Sequence, residues 1–233
     1  MVRLITAADA ISLINAELGF LAIVILISGV FTKEIGMRLS FSLILLAVLA
    51  DGLDGIIARK TRHGKLGEYL EAMADMTSLA IAPGIFLLVH YSDLYTTSQY
   101  HFLLVCVILL FFLFCSIVRL SSFHILKEKK NFVGLPASAS TIIILLLVFF
   151  NLEHLYLLVA IVILSILMLS PIRFPKPKLK INGVAAILIL LTIVLWDYYN
   201  NTAPILLLIS LLVYIIAGPI YVKYSVSSKG TQS

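Results

Sequence analysis

Charged residues are nearly absent from eight long stretches of this chain and crowd into the short turns between them. Stretches of that length and polarity fit helices that cross a bilayer. Of the 233 residues, 61% are hydrophobic and 12% charged, and the mean hydropathy is +1.11. That is far more apolar surface than a soluble domain of this size needs. The expected helices run approximately over 10–31, 37–60, 68–91, 100–126, 136–151, 154–171, 182–198 and 203–221. The expected fold class is all-α, a polytopic integral membrane bundle of about eight transmembrane helices in a single domain over 1–233. The fifth and sixth stretches are short and could fuse, which leaves seven spans as the competing count. Thr6-Ala-Ala-Asp9 is a capping-box pattern for the start of the first helix, and Pro136 suits the first turn of the fifth.

The positions of Lys and Arg set the orientation. Arg59, Lys60, Arg62 and Lys65 lie between the second and third helices. Lys127, Lys129 and Lys130 follow the fourth, Arg173, Lys176, Lys178 and Lys180 follow the sixth, and Lys223 and Lys229 lie in the tail. With eight spans all of these, and Arg3, fall on one side, while Lys33 and Arg38 fall on the other. The rich side is expected to be cytoplasmic, with both termini and any site beside the basic turns on the cytoplasmic side of a cell membrane. The net charge of +5 is thus a property of membrane turns rather than a nucleic-acid footprint. The first apolar run, from about Ile11 to Val30, is long for a signal-peptide core and lacks a clear cleavage site, so it is read as a retained helix. Cys106 and Cys115 share one expected helix about 13 Å apart along its axis and cannot bridge within it.

Four carboxylates stand where such a protein tolerates them least. Asp51 and Asp54 end the second apolar run, and Glu71 and Asp75 begin the third. Each pair is spaced for one helix face, at i, i+3 and i, i+4, and the turn between the helices brings the two faces together. Carboxylates in or near hydrocarbon are costly and usually functional. Four hard oxygen ligands suit Mg²⁺ or Mn²⁺ better than zinc, and two divalent ions would relieve their mutual repulsion. Gly52, Gly55 and Gly67 remove side chains where phosphates or a neighbouring helix must come close, and Arg59 offers a forked donor to phosphate. The competing reading is a structural ion-pair network with the adjacent basic residues, which does not require this glycine and acid spacing.

The run Asp51-Gly-Leu-Asp54-Gly55-Ile-Ile-Ala58-Arg59, then Gly67, Glu71 and Asp75, resembles the signature of the CDP-alcohol phosphatidyltransferases, D-x2-D-G-x2-A-R-x7/8-G-x3-D-x3-D. The family's members are integral membrane enzymes that move a phosphatidyl group from a CDP-linked lipid to an alcohol and release CMP. The resemblance implies that Asp51, Asp54 and Glu71 hold metal and that Asp75 is both metal ligand and general base. It places Gly55, Ala58, Arg59 and Gly67 around the CDP group, and it implies a homodimer. Glu71 departs from the signature, standing where the family has an aspartate.

Other blocks resemble the phosphatidylserine synthase branch. Leu70-Glu-Ala-Met-Ala-Asp75-Met-Thr-Ser78-Leu-Ala-Ile-Ala-Pro83 is similar to its L-D-S-x-x-D-x-x-S-F-G-x-A-P run, and Phe132-Val-Gly134-Leu135-Pro136-Ala-Ser-Ala to its F-x-G-L-P-x-P-A block. Ile172-Arg-Phe174-Pro175-Lys-Pro-Lys is similar to its late basic segment, and Asn15 and Gly19 to its T-L-x-N-x-x-x-G start. Arg119-Leu-Ser-Ser-Phe123 matches R-L-A-R-F only in part. The implied substrates are a CDP-lipid and L-serine. The length of the basic turn and the G-E-Y-L run resemble archaeal members, whose lipid would be CDP-archaeol.

Several residues keep two readings. Arg119 faces a lipid phosphate or serine carboxylate, or snorkels to headgroups. Lys130, beside the G-L-P block, is a candidate for the same anion, whereas Lys127 and Lys129 suit anionic lipid. Glu17 faces the site, is protonated, or lies near the interface. Trp196, Tyr198 and Tyr199 read as an outer interfacial belt. The five histidines show no metal-ligand spacing. Two other functions stay open: a sister transferase using glycerol phosphate, inositol phosphate or another alcohol, and a non-catalytic divalent-cation-binding or transport protein.

Overall fold

The first helix begins as its capping box requires. The Asp9 amide donates to Thr6 Oγ1 at 3.3 Å, the Thr6 amide donates to Asp9 Oδ2 at 2.8 Å, and α1 runs over Ala7–Ile27. The computed structural model describes residues 6–58, 66–123, 126, 131–196, 198 and 200–230. Arg59, Lys130 and the basic residues Arg3, Lys60, Arg62, Lys65, Lys127 and Lys129 lie outside the described residues.

After α1 come α2 (Lys33–Ala58), α3 (Gly67–Asp75), a π-helical segment (Met76–Ile81) and α4 (Ala82–His90). A short α5 (Ser92–Thr97) leads to α6 (Gln99–Phe123). Then follow β1 (Asn131–Val133), α7 (Ala137–Phe149), α8 (His154–Leu169), β2 (Arg173–Pro175), α9 (Leu179–Leu195) and α10 (Thr202–Gly230). Five helical stretches are long and apolar enough to cross a membrane: 7–27, 33–53, 67–90, 99–122 and 202–224. Three shorter apolar helices, α7, α8 and α9, bring the number of expected stretches that are helical to eight.

The fifth and sixth helices do not fuse. Asn151, at φ +49°, turns the chain between α7 and α8 in the left-handed region that asparagine tolerates better than most residues. Pro136 caps α7 from just outside it, one residue before the expected first turn. The third expected helix is continuous but not regular. Its π-helical turn starts directly after Asp75, and such turns are rare and concentrate at functional sites.

Successive spans alternate in direction, so polar groups gather at two opposite ends. At one end Lys33 pairs with Asp93 at 2.6 Å, and the Arg38 guanidinium lies 5.1 Å from the Trp196 ring centre. Tyr91 at this end donates its hydroxyl to the Leu152 carbonyl. Burial, and then the charge of Glu153, holds its phenol above the ordinary tyrosine range. Trp196 does not join an outward belt. Its ring packs edge-on against Phe41 and Phe149, each at 5.1 Å, while Tyr198 is exposed. Tyr199 lies outside the described residues.

At the opposite end, β1 and β2 pair antiparallel, with Phe132 opposite Phe174. Gly134, at φ +77°, continues the ribbon by donating to the Ile172 carbonyl at 2.8 Å. A Cβ at this position would lie 2.2 Å from the Met168 carbonyl oxygen, so only glycine fits. Helix α7 is the centre of the packing: ten of its 13 residues are buried, and it touches α8, α10, α4 and the π segment. Its Thr141 hydroxyl donates to the Leu79 carbonyl at 2.6 Å, which holds the π segment from behind.

Candidate active site

The site is built from α1, α2 and α3 at the end where α1 begins and α2 finishes. Asp51 lies on the last two turns of α2, while Glu71 and Asp75 lie one turn apart on α3. One carboxylate oxygen from each of the three lies within 4.8 Å of the others. Asp75 is buried, and Asp51 and Glu71 are half-buried. Three hard oxygen donors converging on one point, none of them sulfur or imidazole, fit Mg²⁺ or Mn²⁺. Asp54 follows Asp51 at i, i+3 on the α2 backbone, and Gly55 and Ala58 lie beyond it on the same helix.

The sequence brings Asp51, Asp54, Glu71 and Asp75 together, and the fold does so for Asp51, Glu71 and Asp75, the Asp54 side chain lying outside the described part. It adds a partner that sequence reasoning left unassigned. Asn15 Nδ2 donates to Asp75 Oδ1 at 2.8 Å across the interface between α1 and α3, and Asn15 is fully buried. The signal was present in the spacing. Ser12, Asn15, Gly19 and Ala22 are small or polar, recur at i, i+3 and i+4, and form the buried face of α1.

Gly19 shows why that face is small. A Cβ there would lie 2.6 Å from the Ser78 Cα, so α1 and the π segment touch backbone to backbone. Gly67 serves a similar purpose at the start of α3, where an added Cβ would meet Asp9 Oδ1 at 3.0 Å. At Gly52, by contrast, no described residue comes within 4 Å of an added Cβ.

Arg119 does not snorkel. It is 5% exposed near the end of α6, and its Nε donates to the Leu135 carbonyl at 3.3 Å. The guanidinium is thereby held by the F-V-G-L-P block. Glu17 does not face the site: it is exposed on α1 about 200° around the helix from Asn15.

The sequence profile of the family described as CDP-alcohol phosphatidyltransferase matches residues 5–216. That match spans most of the chain, which belongs to the CDP-alcohol phosphatidyltransferase family, a family of helical membrane bundles. It is 33% identical over 182 residues to the CDP-diacylglycerol–serine O-phosphatidyltransferase of Methanocaldococcus jannaschii, covering 77% of this chain and 78% of that one. It is 32% identical over 191 residues to the archaetidylserine synthase of Methanothermobacter thermautotrophicus, covering 78% and 73%. A third relative, the CDP-diacylglycerol–serine O-phosphatidyltransferase of Helicobacter pylori, is 31% identical over 162 residues, covering 64% and 66%. The chain is a multi-pass membrane transferase.

Proposed function

We propose that this chain transfers the phosphatidyl-type group of a CDP-linked lipid to L-serine and releases CMP. The observation that carries the reading is the convergence of Asp51, Glu71 and Asp75 within 4.8 Å, at three acidic positions of the family signature, one of them a glutamate in place of aspartate. The names of the relatives support serine as the acceptor. The archaetidylserine synthase among them supports CDP-archaeol as the lipid, and the enzymes named for CDP-diacylglycerol support that lipid as the other candidate.

Asp51, Asp54, Glu71 and Asp75 would hold two Mg²⁺ or Mn²⁺ ions. When bound, these supply charge neutralisation for the diphosphate and for the developing CMP leaving group. Asp75 accepts the proton of the serine hydroxyl, whose oxygen then attacks the lipid-side phosphorus in line. Gly55, Ala58, Arg59 and Gly67 line the CDP group. Arg119, with Lys130, would meet an anionic group of the lipid or of serine, which a guanidinium does well when shielded from water. The chain acts as one domain over 1–233 and as a homodimer. Its active site and both termini face the cytoplasm, a reading supported by the sequence positions of Lys and Arg, most of which with eight spans fall on that side.

The test is to supply purified protein with CDP-archaeol or CDP-diacylglycerol, Mn²⁺ or Mg²⁺, and one alcohol at a time. CMP and a serine lipid should form with serine, and Asp75→Asn should nearly abolish both, since an amide cannot take the proton. Turnover with glycerol phosphate or inositol phosphate but not serine would move the chain to a sister activity. No CMP with any alcohol would remove the transferase reading.

A further inference from the structure

We propose that Asn15 is a positioning residue for Asp75, holding its carboxylate in the plane the reaction needs without neutralising it. This rests on Asp75 being the base and a metal ligand. A carboxylate turns readily about its last torsion, because such sp³–sp² rotations are broad. Here one oxygen is tied. Asn15 Nδ2 donates to Asp75 Oδ1 at 2.8 Å, which fixes the direction in which Oδ2 is presented.

The tether is built from both sides. Gly19, one turn beyond Asn15, lets α1 touch the backbone of Ser78, three residues beyond Asp75. The two contacts tie α1 to α3 and to the π segment that continues it, so the short Asn15 side chain reaches Asp75 in a fixed register. From behind, Thr141 holds the Leu79 carbonyl of the π segment that starts at Met76.

The chemistry of the tether is specific. A lysine or arginine in this place would cancel the charge that Asp75 needs for a cation or a proton. An amide donates a hydrogen bond and leaves that charge intact. The arrangement is not optimal for packing alone. Asn15 Oδ1 is buried and has no hydrogen-bond partner among the described residues, an expense that a leucine would avoid. Orientation of a ligand carboxylate by an outer hydrogen bond is typically worth about tenfold or more in metal affinity or activity.

The experiment is a double-mutant cycle read by Mn²⁺ affinity, from electron paramagnetic resonance titration of the purified protein. Asn15→Leu keeps the volume and removes the donor, and Asn15→Ala serves if leucine does not fit. Expected is a loss of about tenfold in Mn²⁺ affinity in the parent background and almost none in the Asp75→Asn background. With serine and CDP-lipid, kcat should fall by a similar factor while the KM for CDP-lipid holds. Equal loss of Mn²⁺ affinity in both backgrounds, or no loss in either, would overturn the proposal. So would failure of both Asn15 variants to fold, which would make Asn15 a packing residue. If the parent turns over no alcohol, the proposed reaction falls, and the Mn²⁺ cycle still decides the role of Asn15.

Discussion

Glu71 is the residue at which this chain parts from its family's signature. Glutamate keeps the charge of aspartate but carries the carboxylate one methylene further, roughly the 1.5 Å of a C–C bond. Its oxygen still converges with those of Asp51 and Asp75, so the longer arm reaches the same point. Mg²⁺ demands near-ideal octahedral geometry. Glu71→Asp, whose arm falls short, is therefore expected to stay active and to change the ratio of Mn²⁺- to Mg²⁺-supported rates. Glu71→Ala should lose nearly all activity. Parent-like rates in Glu71→Ala, measured as CMP release, would remove Glu71 from the ligand set. The carboxylates were legible because helical spacing turns sequence separations into faces. The Asn15 contact was not, because it joins residues 60 apart and depends on the close approach that Gly19 permits.

Among the elements, the β1–β2 ribbon was the hardest to foresee. Its strands are three residues each, separated by the whole α7–α8 hairpin, and one of them contains Pro175. Short strands with a proline carry almost no periodic signal. The two blocks that form it, Phe132–Ala139 and Ile172–Lys178, stand far apart in the sequence, and nothing in their spacing announces that they pair. The long apolar helices were legible for the opposite reason, since hydrocarbon imposes both length and composition. Gly134 is the ribbon's most constrained position. Alanine there must adopt φ +77° and meet the Met168 carbonyl, so Gly134→Ala should destabilise the protein by about 1–3 kcal/mol or more. A thermal melt in detergent checks this, and an unchanged melting temperature would mean that the ribbon bends to admit the methyl.

At the scale of the molecule, the alternation of spans separates two ends. The carboxylates, the ribbon and the start of α9 share one, and the Lys33–Asp93 pair and Trp196 share the other. Single cysteines at Gln99 and Lys178, in a variant lacking Cys106 and Cys115, should therefore react with impermeant reagents from opposite sides of sealed vesicles. Lys178 should label from the cytoplasmic side. Labelling of both from one side would refute the proposed sidedness and the even number of crossings.

The burial of α7 has a consequence for how the protein is made. At 13 residues the helix is only about 20 Å long, against a hydrocarbon layer of about 30 Å, and nearly all of its surface is covered by other helices. A segment of that length is a poor candidate to be threaded into lipid by itself as it leaves the ribosome. It is expected to enter paired with α8, as a hairpin whose two ends return to one side and are then stitched by the ribbon. Nascent chains ending after Phe149 should leave α7 uninserted, and chains extended through Pro175 should insert it, as read by glycosylation acceptors engineered at the Asn151 turn. Insertion of α7 in the shorter chain would show that it needs no partner. The helix that encloses the back of the active site would then reach its place only together with α8, so the enzyme stays inactive until the hairpin is in.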